Sequence, residues 1–338
     1  MQNHHLALPP TSRRQAIARL AALPLAALAP THSVLANEAG AWPAKPVRLI
    51  VNFPPGSSPD VVGRAISQPL AQRLGQAFVV DNRAGAGGSL GADIAAKAPA
   101  DGYTVLVSSG SAISINPHVY RKLAYDPEKD LLPVAAAARI ELFLIASERA
   151  PFNTFEEFLN QARTRPGHFS YGSAGNGTAP HIAGEMLKDK AGIDLLHVPY
   201  KGASQALQDL LAGQVDVLFD PGIAISHIKS GKLKLLAVGS LKRSTMFPQT
   251  PTLDELGLKG FDAGTSHAFY VPAGTPRPIV EKLNTEINRI VRMPAVTQQI
   301  HALGAEVQVL TPQQLGQQLT QDRLRYGEIV KRRNIQAD

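Results

Sequence analysis

The chain has 338 residues, with 34 Lys and Arg against 27 Asp and Glu, 6% aromatic residues and no cysteine. Without cysteine there is no disulfide, no thiol catalysis and no Cys-ligated metal. The net charge of +7 is modest, and the basic residues form neither a long run nor a stripe, so nucleic acid is not an expected partner.

Residues 1–36 read as a cleaved secretory signal. Arg13, Arg14 and Arg19 stand there without an acidic residue, an apolar Ala/Leu run follows from about Leu20, and Val34-Leu35-Ala36 offers a small-x-small site for cleavage after Ala36. The run falls short of the roughly 20 apolar residues that span a bilayer. Ser12-Arg13-Arg14 is like a twin-arginine signal, but Ala16 and Ile17 follow where that motif prefers Phe and Leu, so both export routes stay open. Removing the segment leaves 31 basic and 27 acidic residues, a balance of +4 that suits capture of small anions. The expected location is the periplasm.

Beyond it, short apolar strands alternate with amphipathic helices, which predicts an α/β chain with mostly parallel sheets flanked by helices. A strand at 47–51 runs into Pro54-Pro55-Gly56-Ser57-Ser58. Ser58 is read as the N-cap of a helix with Pro59 in its first position, and Gly75 ends that helix. A strand at 77–80 leads to a Gly-rich loop at 82–88, and Ser89 caps a helix to about Ala98. Strands follow at 103–107 and 142–146, and a helix at 155–164. Past Pro166-Gly167 come a strand at 169–172 and a loop at 173–178. A helix then opens at Thr178 or Ala179 with Pro180 in its first turn. A strand at 195–198 and a turn at 199–202 precede a helix capped by Ser204 and closed by Gly213. Strands at 215–219 and 234–238 complete this series. After Phe261 the pattern gives a strand at 267–271, helices at 276–292 and 295–303, and a strand at 305–310. A long helix opened by Thr311-Pro312 ends the chain. About 300 mature residues suit two domains. The expected division is a first lobe of 42–142 plus 266–338, a second of 143–265 inserted in it, and two crossings as a hinge.

Four strand ends lead into loops of Gly, Ser, Thr and Asn, at 53–60, 82–89, 108–116 and 173–181. In an open parallel sheet, ligands bind beyond the carboxyl ends of the strands. Free N–H groups at a helix start favour an anion, without Lys or Arg. Residues of these loops read as ligand-binding are Phe53, Gly56, Asp60, Asn82, Gly87, Ser108, Ser109, Ser173, Ala174, Gly175, Asn176, Thr178 and His181.

Other chemistry is less well supported. Gly85-Ala86-Gly87-Gly88-Ser89-Leu90-Gly91 misses the dinucleotide spacing because Leu90 stands where the last Gly belongs. Tyr171-Gly172-Ser173-Ala174-Gly175 places Gly directly before Ser, unlike a nucleophile elbow. The histidines lack metal-binding spacing. No catalytic residue, metal or cofactor is therefore expected. Asp216 and Asp220 lie four apart; Asp216 is read as structural and Asp220 as bordering the cleft, accepting from a ligand amine or hydroxyl.

Together these segments resemble the Bug family of extracytoplasmic solute-binding proteins, the binding components of tripartite tricarboxylate transporters. The likeness runs through Pro43 and Val47-Arg48-Leu49-Ile50-Val51-Asn52-Phe53-Pro54-Pro55-Gly56, with Asp60 and Arg64. It continues in Asn82-Arg83-Ala84-Gly85-Ala86-Gly87-Gly88, Ala100-Asp101-Gly102-Tyr103-Thr104, Tyr171-Gly172-Ser173-Ala174-Gly175, and Gly177-Thr178 with His181. Val198-Pro199-Tyr200-Lys201-Gly202 and Pro272-Ala273-Gly274-Thr275-Pro276 extend it over essentially the whole mature chain. The resemblance implies a two-lobed, periplasmic-binding-protein-like fold of type II. It implies a ligand such as a di- or tricarboxylate, an acidic amino acid or an aromatic carboxylate, and membrane transporter subunits as partners. It also implies that loops 53–60 and 173–178 face each other, with Phe53, Gly56, Asn82, Ser108, Ser173, Thr178, His181 and Asp220 at the ligand and Tyr200 nearby. The chain departs from the family where Ser57-Ser58-Pro59 replaces further glycine, adding two hydroxyl donors, Ser57 and Ser58. It departs again where Ser266-His267-Ala268-Phe269-Tyr270 lacks a common Trp. A monomer is expected. The competing readings are a ligand sensor for a signalling partner and an exported serine hydrolase using Ser173 and His181.

Overall fold

The computed structural model describes residues 42–337, which fall in one compact unit; the export segment read over 1–36 lies outside them. Eleven strands are present among these residues: β1 (Val47–Val51), β2 (Phe78–Asn82), β3 (Thr104–Ser108), β4 (Leu131–Ile140), β5 (Phe143–Ser147), β6 (Ser170–Ser173), β7 (Leu196–Pro199), β8 (Val217–Asp220), β9 (Leu233–Val238), β10 (Thr265–Pro272) and β11 (Glu306–Val307). The helices are α1 (Ser58–Leu74), α2 (Ser89–Ala96), α3 (Asn116–Val119), α4 (Phe155–Thr164), α5 (Ala179–Ala191), α6 (Ala203–Ala212), α7 (Ile225–Lys229), α8 (Arg277–Ile290), α9 (Pro294–His301) and α10 (Pro312–Arg333).

The strands form two sheets, one per lobe, ordered β11-β4-β10-β3-β1-β2 and β7-β6-β8-β5-β9. The α/β two-lobed architecture is as expected, but the sheets are mixed instead of mostly parallel. In the first, β1 runs parallel to β2 and β3, while β10 is antiparallel to β3 and β4 and β11 to β4. In the second, β6 is parallel to β7 and β8, while β5 is antiparallel to β8 and β9. The antiparallel strands are largely those that carry the chain between sheets. β4 passes into β5 after two residues, and β10 brings the chain back. Such strands have no βαβ crossover to force parallel pairing. β4 itself escapes sequence reading because LLPVAAAARI is rich in alanine, a poor strand former, and carries a proline.

Helix starts carry the site and differ in detail from expectation. α1 is capped by Ser57, whose backbone is extended, and Ser58 is already the first helical residue; Gly75 closes the helix in the left-handed region. α6 is capped by Gly202, not by Ser204. α5 has Thr178 as its N-cap and Pro180 in its first turn, as read. α10 opens with a full capping box between Thr311 and Gln314. The strand expected over 305–310 shrinks to two residues.

Each sheet is covered on both faces. Val62 and Ile66 of α1 and Leu283 and Ile287 of α8 pack on one face of the first sheet; Ala92, Leu315 and Leu319 pack on the other. In the second lobe Phe158, Tyr171, Ile182 and Phe219 share one core, and Leu207, Leu210 and Leu218 another. The last helix belongs to both lobes: Leu315 and Leu319 lie on the first sheet, whereas Tyr326, Ile329 and Val330 are buried among the second lobe's core. Arg332 meets Asp189 at 3.0 Å and Arg333 meets Glu185 at 3.3 Å at that end.

Candidate functional site

The strand ends of both sheets and the helix starts that follow them line a small, partly open cavity. From the first sheet come Phe53, Ser57, Ser58 and Pro59 after β1, and Ser109 and Ser111 after β3. From the second come Ala174, Thr178, Ala179 and Pro180 after β6, Ala203 at the start of α6, and Pro221 after β8. Leu142 between β4 and β5, and Thr265 and His267 of β10, line it from the crossings. None of these residues is Lys, Arg, Asp or Glu. A wider space of about 610 Å³ adjoins it across Phe53 and Ala174, lined by Gly87, Gly175, Asn176, Tyr200 and Lys201 among others.

The polar groups of the inner cavity are tied to one another. Ser58 Oγ lies 2.8 Å from His267 Nε2, and both are buried. Thr265 donates to the Ser109 carbonyl at 2.6 Å, Ser109 to Ser111 Oγ at 3.3 Å, and the Ala179 N–H to Ser111 Oγ at 3.3 Å. The last of these joins the first lobe to the start of α5 in the second. Burial pushes His267 down to about 3, so the imidazole is neutral at pH 7. The first amides of α1, α5 and α6 have no intrahelical acceptor, and each helix directs its positive end at its start. Electropositive character thus comes from backbone and hydroxyl dipoles.

The residues read from sequence separate into three groups. Phe53, Ser57, Ser58, Ser109, Ala174 and Thr178 form the inner walls; Gly87, Gly175, Asn176 and Tyr200 stand in the outer space. The rest stand behind the walls. Asp60 accepts from the Gly56 N–H at 2.9 Å, from Arg64 at 3.0 Å and from Asn82 at 2.9 Å, while Asn82 also donates to the Phe53 carbonyl. Burial acts to raise the Asp60 pKa, but the bonds from Arg64, Asn82 and Gly56 hold it below the usual range. Asp60, Asn82 and Gly56 therefore brace the loop instead of lining the cavity. Ser108 Oγ accepts from Asn52 at 3.0 Å and from the Gly110 N–H.

In the second lobe His181 Nδ1 accepts from the Gly177 N–H at 3.2 Å, the helix-start bond. Its ring stacks on His197 at 4.1 Å. Burial pushes His181 down to about 4 and His197 to about 3. Ser173 is wholly buried and its partner is His197, at 2.7 Å, not His181. Asp220 also departs from expectation. It is fully buried, accepts from the Gly222 and Ala224 N–H groups in a turn, and is pushed up to about 7 by burial; its neighbour Pro221 is what reaches the cavity. Asp216 is structural as read, accepting from Ser170 twice.

Sequence reading missed Ser111, Leu142, Thr265 and His267. Ser111 lay inside the loop 108–116. Thr265 and His267 depend on antiparallel pairing of β10 with β3, which sets Ala268 opposite Ser108 and which no local pattern announces.

Two mixed α/β sheets joined by crossing strands, with a cavity between opposed helix starts, define a periplasmic-binding-protein-type solute receptor. Residues 62–335 match the model of the tripartite tricarboxylate transporter family receptor. The chain is 36% identical over 296 residues to BugT of Bordetella pertussis, covering 87% of this chain and 90% of that one. It superposes on R. palustris Rpa4515, solved with adipate, with a TM-score of 0.84 and 32% identity over 87% of this chain and 98% of the other. MatC of Rhodopseudomonas palustris, solved with bound malate, gives 0.81 and 32%, covering 86% and 100%. The chain belongs to the tripartite tricarboxylate transporter receptor family, among its Bug-type members. Among the described residues no helix is long and apolar enough to cross a membrane, and no cluster of His, Asp and Glu could hold a metal.

Proposed function

We propose that this receptor captures a small carboxylate in the periplasm, within the inner cavity, and presents it to the membrane subunits of a tripartite tricarboxylate-type transporter without chemically altering it. The observation that carries the reading is the meeting of two helix starts, Ser57–Ser58 and Thr178–Ala179, with the hydroxyls of Ser111 and Thr265 in one cavity. Bonds from amides and hydroxyls to a charged acceptor are the stronger kind. The adipate and malate seen in Rpa4515 and MatC support the ligand class. The lobes, 42–142 with 266–338 and 143–265, would close on the ligand.

The serine hydrolase reading is weakened by geometry. Ser173 does not line the cavity, and its hydroxyl is spent on His197 and the Gly175 carbonyl. Calorimetry with a panel of carboxylates tests the proposal. One member should bind with 1:1 stoichiometry and no turnover, and Ser58→Ala and Thr178→Ala should each weaken it about tenfold. A panel without any binder would overturn the reading. Co-purification with the transporter's membrane subunits tests the partnership.

A further inference from the structure

We propose that the three segments passing between the lobes are pinned together by one charge cluster, Arg139–Asp262–Arg325, and that this pin, outside the cavity, confines the lobes to a single arc of opening and closing; the inference rests on lobe closure and is independent of which ligand is bound. The segments are the turn from β4 into β5, the return segment before β10, and α10, whose two ends lie in the cores of different lobes. A hinge is a few residues that absorb the rotation. Lobes joined at three places turn freely only where the three joints share one axis.

The joints meet at Asp262. Its neighbours Phe261 and Ala263 are buried in the second lobe's core, so Asp262 moves with that lobe. Arg139 belongs to the first lobe, on β4, where it stands opposite Ser266 of β10 and Glu306 of β11. Its guanidinium reaches both carboxylate oxygens of Asp262, at 2.8 and 2.9 Å. Gly264 leaves room for it, since a Cβ there would lie 2.9 Å from the guanidinium. From α10, Arg325 meets the same carboxylate at 2.9 Å and donates to the Asp262 and Gly264 carbonyls. Tyr326 donates to the Gly264 carbonyl at 3.1 Å, and Asp322 holds Arg325 at 2.8 Å. This is also where α10 changes lobes, between Leu319 on the first sheet and Ile329 in the second core. The bonds are charge-assisted, and solvent reaches the side chains only in part, with Arg139 30% and Asp262 20% exposed. Asp262 is thus a positioning residue, holding each lobe's crossing to the other.

The separation of the lobes is the readout. The chain has no cysteine, so Ala84→Cys and Gln208→Cys, both exposed and one in each lobe, accept a pair of spin labels for pulsed dipolar spectroscopy on the exported chain. Asp262→Asn keeps the shape and removes the charge. It should raise the population at distances outside the parent's main peak by about tenfold, the equivalent of one charge-assisted bond, while the far-UV spectrum shows the lobes folded. Arg139→Gln should act likewise, and still gives the reading if Asp262→Asn fails to fold, because Arg325 remains on Asp262. The two together should add little to either alone, and additive effects would count against a single pin. Unchanged distances in a folded variant, even one of lowered stability, overturn the inference. Gly202→Phe separates that result from a failure of lobe closure. A Cβ on Gly202 would lie 2.9 Å from the ring of Pro54 in the opposite lobe, so a phenylalanine there must wedge the lobes apart. If the wedge moves the labels and Asp262→Asn does not, the pin alone is wrong; if neither moves them, lobe closure falls with it.

Discussion

The two walls of the cleft are built on the same plan and held by different chemistry. In each, a strand runs into a tight loop, an N-cap with extended backbone follows, a proline sits in the first helical turn, and the helix carries a glycine over its own sheet. Ser57 and Thr178 adopt nearly the same backbone, φ −73° and ψ 158° against φ −85° and ψ 157°. Behind the first loop stands an ionic brace of Asp60, Arg64 and Asn82. Behind the second stand two neutral, stacked imidazoles and a tyrosine, with His197 lying between His181 and Tyr171. The first wall is thus positioned by charge at the edge of the sheet. The second is positioned by rings packed under the helix.

The glycines break this comparison most sharply. A Cβ on Gly184 of α5 would lie 2.2 Å from the ring of Tyr171, which is fully buried and hydrogen bonded to Glu185 at 2.8 Å. A Cβ on Gly63 of α1 would meet Val51 at 3.2 Å. Gly184→Ala should therefore cost about 3 kcal/mol through overpacking, and Gly63→Ala less than about 1 kcal/mol. Urea denaturation of the two variants measures both; equal losses would mean the walls tolerate crowding alike.

The braces also fail in different pH windows. His181 takes a proton near 6.5 when unfolded but only near 4 when folded, because burial disfavours the imidazolium. Between those values the unfolded chain binds more protons, so stability falls as pH falls. The slope approaches about 1.4 kcal/mol per pH unit for one histidine and sums to about 1.6 kcal/mol from pH 6.5 to 5, because the unfolded imidazole is only half protonated at 6.5. His197 and His267 act in the same direction. The Asp60 brace behaves otherwise. Its folded pKa lies below 3.8, so its contribution is present above that value and is lost only as pH falls below it. His181→Asn, which keeps an acceptor for the Gly177 amide, should flatten the pH dependence of the melting temperature between 6.5 and 5. Asp60→Asn should leave that window unchanged. It should lower stability at pH 7 by about 1.5 kcal/mol, the scale of a hydrogen bond to a charged group. Because Asp60 lies outside the cavity, its ligand affinity should change by less than about threefold.

The two walls were not equally legible in the sequence. The loops announce themselves locally, since Pro-Pro-Gly, Gly-rich runs and a Thr before Ala-Pro each dictate a turn or a helix start. Phe53, Ser57, Ser58, Ala174 and Thr178 follow from that chemistry. What local pattern cannot carry is which side of a loop faces ligand. Asp60 and Asn82 look like binding residues by type, but their bonds run to each other and to the backbone. The floor of the cavity is illegible for a different reason. Thr265 and His267 reach it through pairing of β10 with β3, a contact across more than 150 positions of chain. β4, which lies beside β10, reads as a run of alanines. The mixed sheets follow from the same long-range returns.

Ser173 sharpens the comparison at its smallest scale. It occupies on the second wall a place near the end of β6, where a nucleophile would have to stand for the cleft to hydrolyse a ligand. Its hydroxyl instead bonds His197 and accepts from the Gly175 N–H at 3.2 Å, so that it shapes the loop that presents Thr178. Ser173→Ala should leave the Gly175 amide and the His197 ring each short of a partner and cost about 1 kcal/mol of stability. Ligand affinity should stay within about twofold of the parent, since the residue does not line the cavity. A fluorophosphonate should leave the parent protein unlabelled, as mass spectrometry of the intact chain can read. Labelling at Ser173 would show that the loop opens far enough to expose a hydroxyl that is wholly buried, and would return the hydrolase reading to contention.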